Sequence, residues 1–155
     1  MSNLERRPGA TSAGGPATVS PVPTRQLLAA REVPLGGPRA MLVRRTLPHR
    51  ELPTVGAWCF ADHMGPYAVP DGLGGIGPHP HIGLQTVTWL VAGEALHRDS
   101  LGTEQVVAPG QLNLMTSGAG IAHSEETPVR SSGKLSGIQL WVAQPEATRH
   151  GAPAF

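Results

Sequence analysis

The stretch GPHPHIGLQTVTWLVAGE, residues 77–94, joins two patterns that together indicate how this chain folds. Leu84–Ala92 is rich in threonine, valine and tryptophan and ends at Gly93, which is typical of a β-strand. His79 and His81 precede this run and are two residues apart. Because residues i and i+2 of a strand point to the same side, the two imidazoles can reach one point in space. The stretch therefore predicts a strand and half of a metal site, with a pair of surface histidines as the alternative.

Short β candidates continue on both sides of this stretch, separated by turn residues. Upstream, Arg39–Leu47 and Gly56–His63 have the composition of strands. The downstream candidates are interrupted by turn sequences such as DSLG, PG and SGAG; they are Glu94–Asp99, Glu104–Ala108, Gln111–Thr116, Ile121–Glu126 and Lys134–Ala143. Strands that recur roughly every 8–12 residues predict an all-β domain, either a sandwich or a barrel.

Other segments are predicted to lie outside these strands. His63–Pro80 is so rich in glycine and proline that we expect a long loop, forming one wall of a pocket. Residues 1–24 contain too little apolar surface to offset their ordering entropy and are predicted to be a disordered tail. The domain is then residues 25–144, followed by residues 145–155, where Pro145–Gly151 is compatible with a short helix.

Composition excludes several classes of function. The chain has 155 residues, which favours one domain, and its 12 basic and 11 acidic residues give no field that would attract nucleic acid or an anionic membrane. The single cysteine, Cys59, cannot form an internal disulfide. No run approaches the about 20 apolar residues that span a bilayer, and the N-terminus lacks the apolar core of a signal peptide. We therefore expect a soluble, cytoplasmic protein without direct nucleic-acid or membrane contacts.

A second pair of possible ligands follows 42 residues after His81. His123 and Glu125 are again two residues apart and again lie in a strand candidate. If the two segments face each other, they supply three imidazoles and one carboxylate. Nitrogen and oxygen donors without thiolate suit Fe(II), Mn, Ni, Cu or Zn, and four protein ligands leave positions open on a six-coordinate ion.

Several blocks of the chain resemble the signature motifs of the pirin family, a branch of the cupin superfamily. The resemblance runs from about Thr24 to the end, with its blocks in the family order: DHMGP (62–66), HPHIGLQTV (79–87), HRDSLG (97–102), APGQLNLMTSGAGIAHSE (108–125) and GIQLWV (137–142). It implies an all-β fold, the cupin double-stranded β-helix or jelly-roll-like barrel, with one iron in the N-terminal domain. The family's ligands fall, residue by residue, on His79, His81, His123 and Glu125.

The chain also departs from the family pattern. Where the family commonly has an arginine and then phenylalanine-glutamate in the first motif, this chain has Ile82, Leu84 and Gln85. Many other cupins place a glutamate ligand at the position of Gln85, but an amide is a poor metal donor, so we expect at most an outer hydrogen bond from it. Pirins usually have two cupin domains, and residues 145–155 resemble the start of the interdomain connection or form a C-terminal tail.

The resemblance implies an oxidoreductase, an iron-dependent dioxygenase of the quercetin 2,3-dioxygenase type. Its partners would be a flavonol and O2, with Fe(II) as cofactor and Mn, Ni, Cu or Zn as other possibilities. Glu125 would then be the catalytic residue that takes the proton of the substrate hydroxyl. The alternative is a non-enzymatic, redox-responsive iron protein that regulates a protein partner, and a purely structural metal is a weaker third hypothesis.

The remaining polar candidates have simpler explanations. We expect His63, beside Asp62, to be a hydrogen-bonded structural residue. His97 precedes a turn, so a solvated or turn-stabilising role is favoured over metal ligation. Cys59 has no cationic neighbour and is predicted to be buried and unreactive.

Overall fold

The structure is a computed structural model that describes residues 25–35, 41–68, 74–129 and 132–155. Regular secondary structure within these residues consists of strands, and no helix long and apolar enough to cross a membrane occurs among them. The ten strands are β1 Arg31–Leu35, β2 Met41–Leu47, β3 Trp58–Ala68, β4 Gly75–His81, β5 Leu84–Gly93, β6 Ala95–Asp99, β7 Glu104–Val107, β8 Leu112–Thr116, β9 Ile121–Glu126 and β10 Lys134–Ala143.

The strands form two antiparallel sheets. The larger has six strands in the order β1-β2-β3-β10-β5-β8, and the smaller has four in the order β4-β9-β6-β7. The last strand, β10, pairs with both β3 and β5 in the middle of the larger sheet, so sequence-distant segments are joined there. This all-β architecture is the cupin double-stranded β-helix, which confirms the predicted fold class.

Alternation along β5 shows which face of the larger sheet is buried. Thr86, Thr88 and Leu90 are buried, whereas Trp89 and Val91 between and beyond them are exposed. Buried apolar side chains of both sheets meet in one cluster, to which the smaller sheet contributes Val107; its members are Val43, Met64, Leu90, Val107 and Leu135. Full burial of such a side chain is worth about 1.5–3 kcal/mol. The core therefore lies between the two sheets.

The prediction of a long loop over His63–Pro80 is wrong. Strand β3 continues to Ala68 because its end pairs with β10, with Lys134 opposite Ala68. Strand β4 begins at Gly75, whose φ of +104° and close approach to the backbone of Glu125 leave no room for a Cβ atom. Glycine is thus required here for two strands to come together. Residues 69–73 lie outside the described residues.

Towards the ends of the chain, the structure has one strand that was not predicted and lacks one expected helix. The tail predicted over residues 1–24 lies outside the described residues. Strand β1 was not predicted; it pairs with β2 at the edge of the larger sheet, where Pro34 is tolerated. The short helix expected at Pro145–Gly151 does not form, and turns occupy this segment. Beyond it, Ala154 pairs with Thr116 at the end of β8.

Candidate metal centre

The inward face of the four-stranded sheet gathers the histidines and carboxylates of the motifs. His79 on β4 and Asp99 on β6 both lie opposite His123 on β9, and His97 lies opposite Glu125. Residues directly opposite each other in an antiparallel pair share a face of the sheet. The strand register therefore brings together side chains from three segments that are far apart in sequence.

Three imidazoles form a tight cluster at one end of this face. One ring nitrogen from each of His79, His81 and His123 lies within 4.8 Å of the other two. The ring centroids are 4.4 Å apart for His79 and His123, 4.9 Å for His79 and His81, and 5.1 Å for His81 and His123. Nitrogen atoms at such distances can contact one ion together.

The hydrogen bonds of these rings leave nitrogen lone pairs available in the cluster. His79 Nδ1 is 2.9 Å from the carbonyl oxygen of Gly77, to which it donates, so its Nε2 carries the lone pair. His81 Nε2 and His123 Nε2 are buried without any hydrogen-bond partner. Buried polar atoms are normally satisfied, so two orphaned nitrogens at one point fit a metal ion that would bind them.

Burial keeps two of these imidazoles neutral at physiological pH. It lowers the pKa of His123 to about 3 and that of His81 to about 4, and the nearby His79 contributes to both shifts. An imidazole must be unprotonated to bind a metal ion. The electrostatics of the cluster therefore hold these two residues in the protonation state that coordination requires.

Glu125 does not join the three-histidine cluster. Its two carboxylate oxygens accept hydrogen bonds from the side-chain amide of Gln139, at 2.8 and 2.9 Å, and Thr88 Oγ1 lies 3.4 Å away. Gln139 is 2% exposed and lies on β10, in the opposite sheet. Sequence reasoning missed it, although a glutamine inside the apolar run GIQLWV is a signal for a buried polar contact.

A small cavity between the sheets adjoins Glu125. Its walls combine apolar side chains of the larger sheet with carboxylates and hydroxyls; the lining residues are Met41, Met64, Gly75, Thr88, Leu90, Glu94, Ala95, Glu125, Glu126, Thr127 and Leu135. Its volume of about 20 Å³ has room for a water molecule but not for a drug-sized ligand.

His97 and Asp99 stand directly behind His123. His97 is only 3% exposed, so of the two roles expected for it, solvated or turn-stabilising, the solvated one is wrong. Its Nδ1 is 3.4 Å from His123 Nδ1 and its Nε2 is 3.0 Å from Asp99 Oδ2. Burial alone would raise the pKa of Asp99, but hydrogen bonds from His97, Thr103 and Leu101 outweigh it and lower this pKa. The spacing of two residues between His97 and Asp99 is the same signal that singled out His79 and His81.

The other residues named from the sequence are not members of the three-histidine cluster. Gln85 donates to Thr116 Oγ1 on β8 at 3.1 Å, and Ile82 is 63% exposed. His63 contacts Arg44 at 2.8 Å, in keeping with a structural role. Cys59 is half-buried near the carbonyl oxygen of Trp141, and burial raises the pKa of its thiol.

Comparison with known proteins gives consistent matches. The pirin family model matches residues 40–142. A putative quercetin 2,3-dioxygenase from Pseudomonas aeruginosa is 52% identical over 131 residues, covering 84% of this chain and 41% of that protein. A pirin-like protein from Caulobacter vibrioides is 44% identical over 118 residues, covering 73% of this chain and 41% of that protein. This chain thus spans about two fifths of the length of these relatives.

Solved structures share the fold. The crystal structure of a quercetin 2,3-dioxygenase from Acinetobacter baumannii has 44% identity and a TM-score of 0.76, with 82% of this chain and 42% of that chain covered. A bacterial pirin from Escherichia coli in complex with nickel(II) has 23% identity and a TM-score of 0.63, with 81% and 52% covered. At this lower identity the likeness shows the fold alone.

Proposed function

Because the chain belongs to the pirin family, we propose that it binds one divalent metal ion, iron(II) in the first place, and acts on a flavonol and O2. The proposed ligands are His79, His81, His123 and Glu125. The observation that carries the proposal is the pair of buried, unpartnered Nε2 atoms beside a third imidazole lone pair. Three nitrogens and one carboxylate also suit Mn, Ni, Cu or Zn, so donor chemistry alone does not select iron.

Glu125 has two roles in this proposal. As the fourth ligand it must turn from Gln139 towards the histidines, exchanging a neutral hydrogen-bond donor for a cation. As the catalytic residue it accepts the proton of the substrate hydroxyl, because an ionised carboxylate is an acceptor only. Before the ion binds, Gln139 and Thr88 hold the carboxylate of Glu125 beside the cavity.

The apolar side chains beside Glu125 and the proposed ion would have different functions in the reaction. Met41, Met64, Leu90 and Leu135 line the small cavity beside Glu125, and their apolar side chains would limit the access of water to its carboxylate. An ion bound by the histidines would supply Lewis acidity towards the hydroxyl and the redox chemistry that a reaction with O2 requires. The names of the relatives from Pseudomonas and Acinetobacter support a quercetin 2,3-dioxygenase, in which the central ring of the flavonol is cleaved and carbon monoxide released.

The test is metal analysis of protein purified without oxygen, followed by a flavonol assay in air. We expect about one divalent ion per chain, loss of flavonol absorbance and release of carbon monoxide. The His123→Ala variant should lose the ion and both signals. The matched control is His63→Ala, which removes a histidine that contacts Arg44 and is not a member of the cluster, and which should retain the ion and both signals.

Two contrary outcomes have different meanings. Wild-type protein that binds no divalent ion would overturn the metal site itself. Iron-loaded protein that never consumes a flavonol, but binds a protein partner differently as Fe(II) and Fe(III), would replace the enzyme by the redox-responsive regulator.

A further inference from the structure

A buried chain of hydrogen bonds leads from Asp99 through His97 to His123. Asp99 Oδ2 lies 3.0 Å from His97 Nε2, and His97 Nδ1 lies 3.4 Å from His123 Nδ1. His97 and His123 are each 3% exposed, and the side chain of Asp99 is fully buried. Water therefore has little access to these bonds, and the three side chains determine where the protons lie.

The chemistry of the three groups allows one arrangement of protons for neutral rings. An ionised carboxylate only accepts, so His97 must carry its proton on Nε2 and keep a lone pair on Nδ1. That lone pair can only accept, so His123 must carry its proton on Nδ1. The lone pair of His123 is then on Nε2, the buried atom without a partner in the three-histidine cluster.

Two further contacts fix this chain of bonds in place. The second oxygen of Asp99, Oδ1, accepts from the backbone N–H groups of Leu101 at 2.8 Å and Thr103 at 3.1 Å, so the carboxylate cannot rotate freely. The ring of Phe155 stacks on His97 with centroids 3.9 Å apart and planes 13° from parallel. Ala154, next to it, pairs with Thr116 through hydrogen bonds of 2.8 and 2.9 Å.

We propose that Asp99 and His97 are positioning residues that set the tautomer and the ring orientation of His123 for metal binding. The inference rests on the proposed metal site but not on flavonol chemistry. Outer partners of a metal-binding histidine typically contribute a factor of about 10–100 in metal affinity. The same range is expected here for loss of the carboxylate.

The variant that tests the idea is Asp99→Asn, which keeps the shape of the side chain. Its amide oxygen must remain on Leu101 and Thr103, because these backbone groups are donors. The amide NH2 then faces His97 and donates to Nε2, which forces the proton of His97 onto Nδ1. His123 must accept at Nδ1 and carry its proton on Nε2, the wrong nitrogen for a metal ligand.

The first measurement needs no metal. Two-bond 15N–1H correlation spectra of metal-free protein distinguish the two histidine tautomers. We expect His123 of the wild type to be protonated on Nδ1, and that of Asp99→Asn on Nε2. A wild-type His123 protonated on Nε2 would overturn the proposal even if no variant folds.

The second measurement is titration with Zn(II) and with Co(II), whose visible absorption reports coordination geometry. Asp99→Asn should lower the affinity roughly 10–100-fold and change the Co(II) spectrum. His97→Phe retains a ring against Phe155 but removes the acceptor for His123, so it should also lower the affinity. The matched control is Glu104→Gln, the same acid-to-amide change in a side chain that is 64% exposed and pairs with Arg98.

The outcomes separate this inference from the proposed function. Unchanged affinity and spectrum in Asp99→Asn, beside normal binding by the wild type, would overturn the positioning role alone. A lower thermal midpoint without any change in metal affinity would assign Asp99 to the turn only, and would likewise overturn it. Absence of binding in the wild type would overturn the metal site on which both depend.

Discussion

Asp62 and Glu125 are two carboxylates that lie beside Gln139, and they differ in how their negative charge is compensated. Asp62 lies opposite Gln139 in the strand register and is 2% exposed. It accepts two hydrogen bonds of 2.7 Å from Arg45, whose guanidinium also lies 4.7 Å from the centre of the Phe60 ring. Glu125 reaches Gln139 from the opposite sheet and, among the residues that the structure describes, pairs with no cation.

The difference separates a carboxylate paired with a cation from one held by neutral hydrogen-bond donors. The charge of Asp62 is compensated in place by a two-pronged pair with Arg45, which is the strong geometry for this interaction. The carboxylate of Glu125 accepts hydrogen bonds from the neutral donors Gln139 and Thr88, so its charge is not paired with a cation there. Neutral amide donors can therefore hold a carboxylate near a cavity without neutralising its charge.

Removing the cation from the structural pair should have the largest effect on folding. Arg45→Met keeps much of the side-chain volume but leaves Asp62 buried without its partner. The expected loss in the free energy of unfolding is about 3–5 kcal/mol, the usual penalty for breaking one side of a buried ion pair. Urea denaturation of the metal-free protein measures it.

The control for this variant is the same change at an exposed arginine. Arg98 pairs with Glu104 and Glu126, but its side chain is 45% exposed, so Arg98→Met should leave the urea midpoint nearly unchanged. Equal losses in Arg45→Met and Arg98→Met would remove the distinction between a buried structural pair and an ordinary surface pair.

Converting each carboxylate to its amide should give opposite results in two assays. Asp62→Asn leaves Arg45 facing an amide and should cost about 3 kcal/mol in unfolding free energy, with metal affinity preserved in the folded fraction. Glu125→Gln should affect unfolding much less but weaken metal binding at least about tenfold, or ~1.4 kcal/mol. Urea denaturation and metal titration of both variants give the comparison. Full metal affinity in Glu125→Gln would remove Glu125 from the proposed ligand set.

The sequence predicts those parts of the fold and site that depend on local patterns. Strand composition and turn residues found most of the strands, and the all-β class is confirmed. The spacing of two residues places His79 beside His81, and His123 beside Glu125, on one face of a strand each. The meeting of His79 with His123 depends on the pairing of β4 with β9. The family resemblance implied that the two residues bind one ion, but neither it nor the spacing predicted this strand pairing.

What the sequence could not predict depends on contacts between strands and between sheets. Glycine and proline in His63–Pro80 indicated a loop, whereas Gly75 is needed for the close approach of β4 and β9. His97 precedes a turn in the sequence, and a solvated or turn-stabilising role was expected for it. Its burial beside His123 depends on the register of β6 against β9, which no local pattern shows. The hydrogen bond from Gln139 to Glu125 connects the two sheets, and no local sequence pattern predicts it.

Acid should destabilise the histidine end of the metal-free protein. Burial lowers the pKa of His123 to about 3 and that of His81 to about 4, below the value near 6.5 expected in the unfolded chain. The unfolded state therefore takes up protons first as the pH falls. Stability should be full above about pH 6.5 and decline towards pH 4. Urea midpoints at pH 7, 6 and 5 measure this decline.

The variant His123→Gln serves as the reference for the acid effect. It removes one of the two shifted groups, so its midpoint should fall less steeply with pH than that of the wild type. A wild-type midpoint that stays constant from pH 7 to pH 5 would contradict the burial of neutral imidazoles.

The smallest change in the free energy of unfolding is expected for Gln139, the residue beside Asp62 and Glu125. Gln139→Met preserves volume but removes the amide that donates to both oxygens of Glu125. In metal-free protein the expected cost is about 1–2 kcal/mol, because a carboxylate loses its hydrogen-bond donor without losing all its solvent. If Glu125 turns to the ion on binding, that bond is already broken in the metal-loaded state, and the variant should bind the ion more tightly by a similar free energy. Weaker binding by Gln139→Met would instead mean that Gln139 holds Glu125 in the metal-bound state as well, and metal titration alongside denaturation distinguishes the two cases.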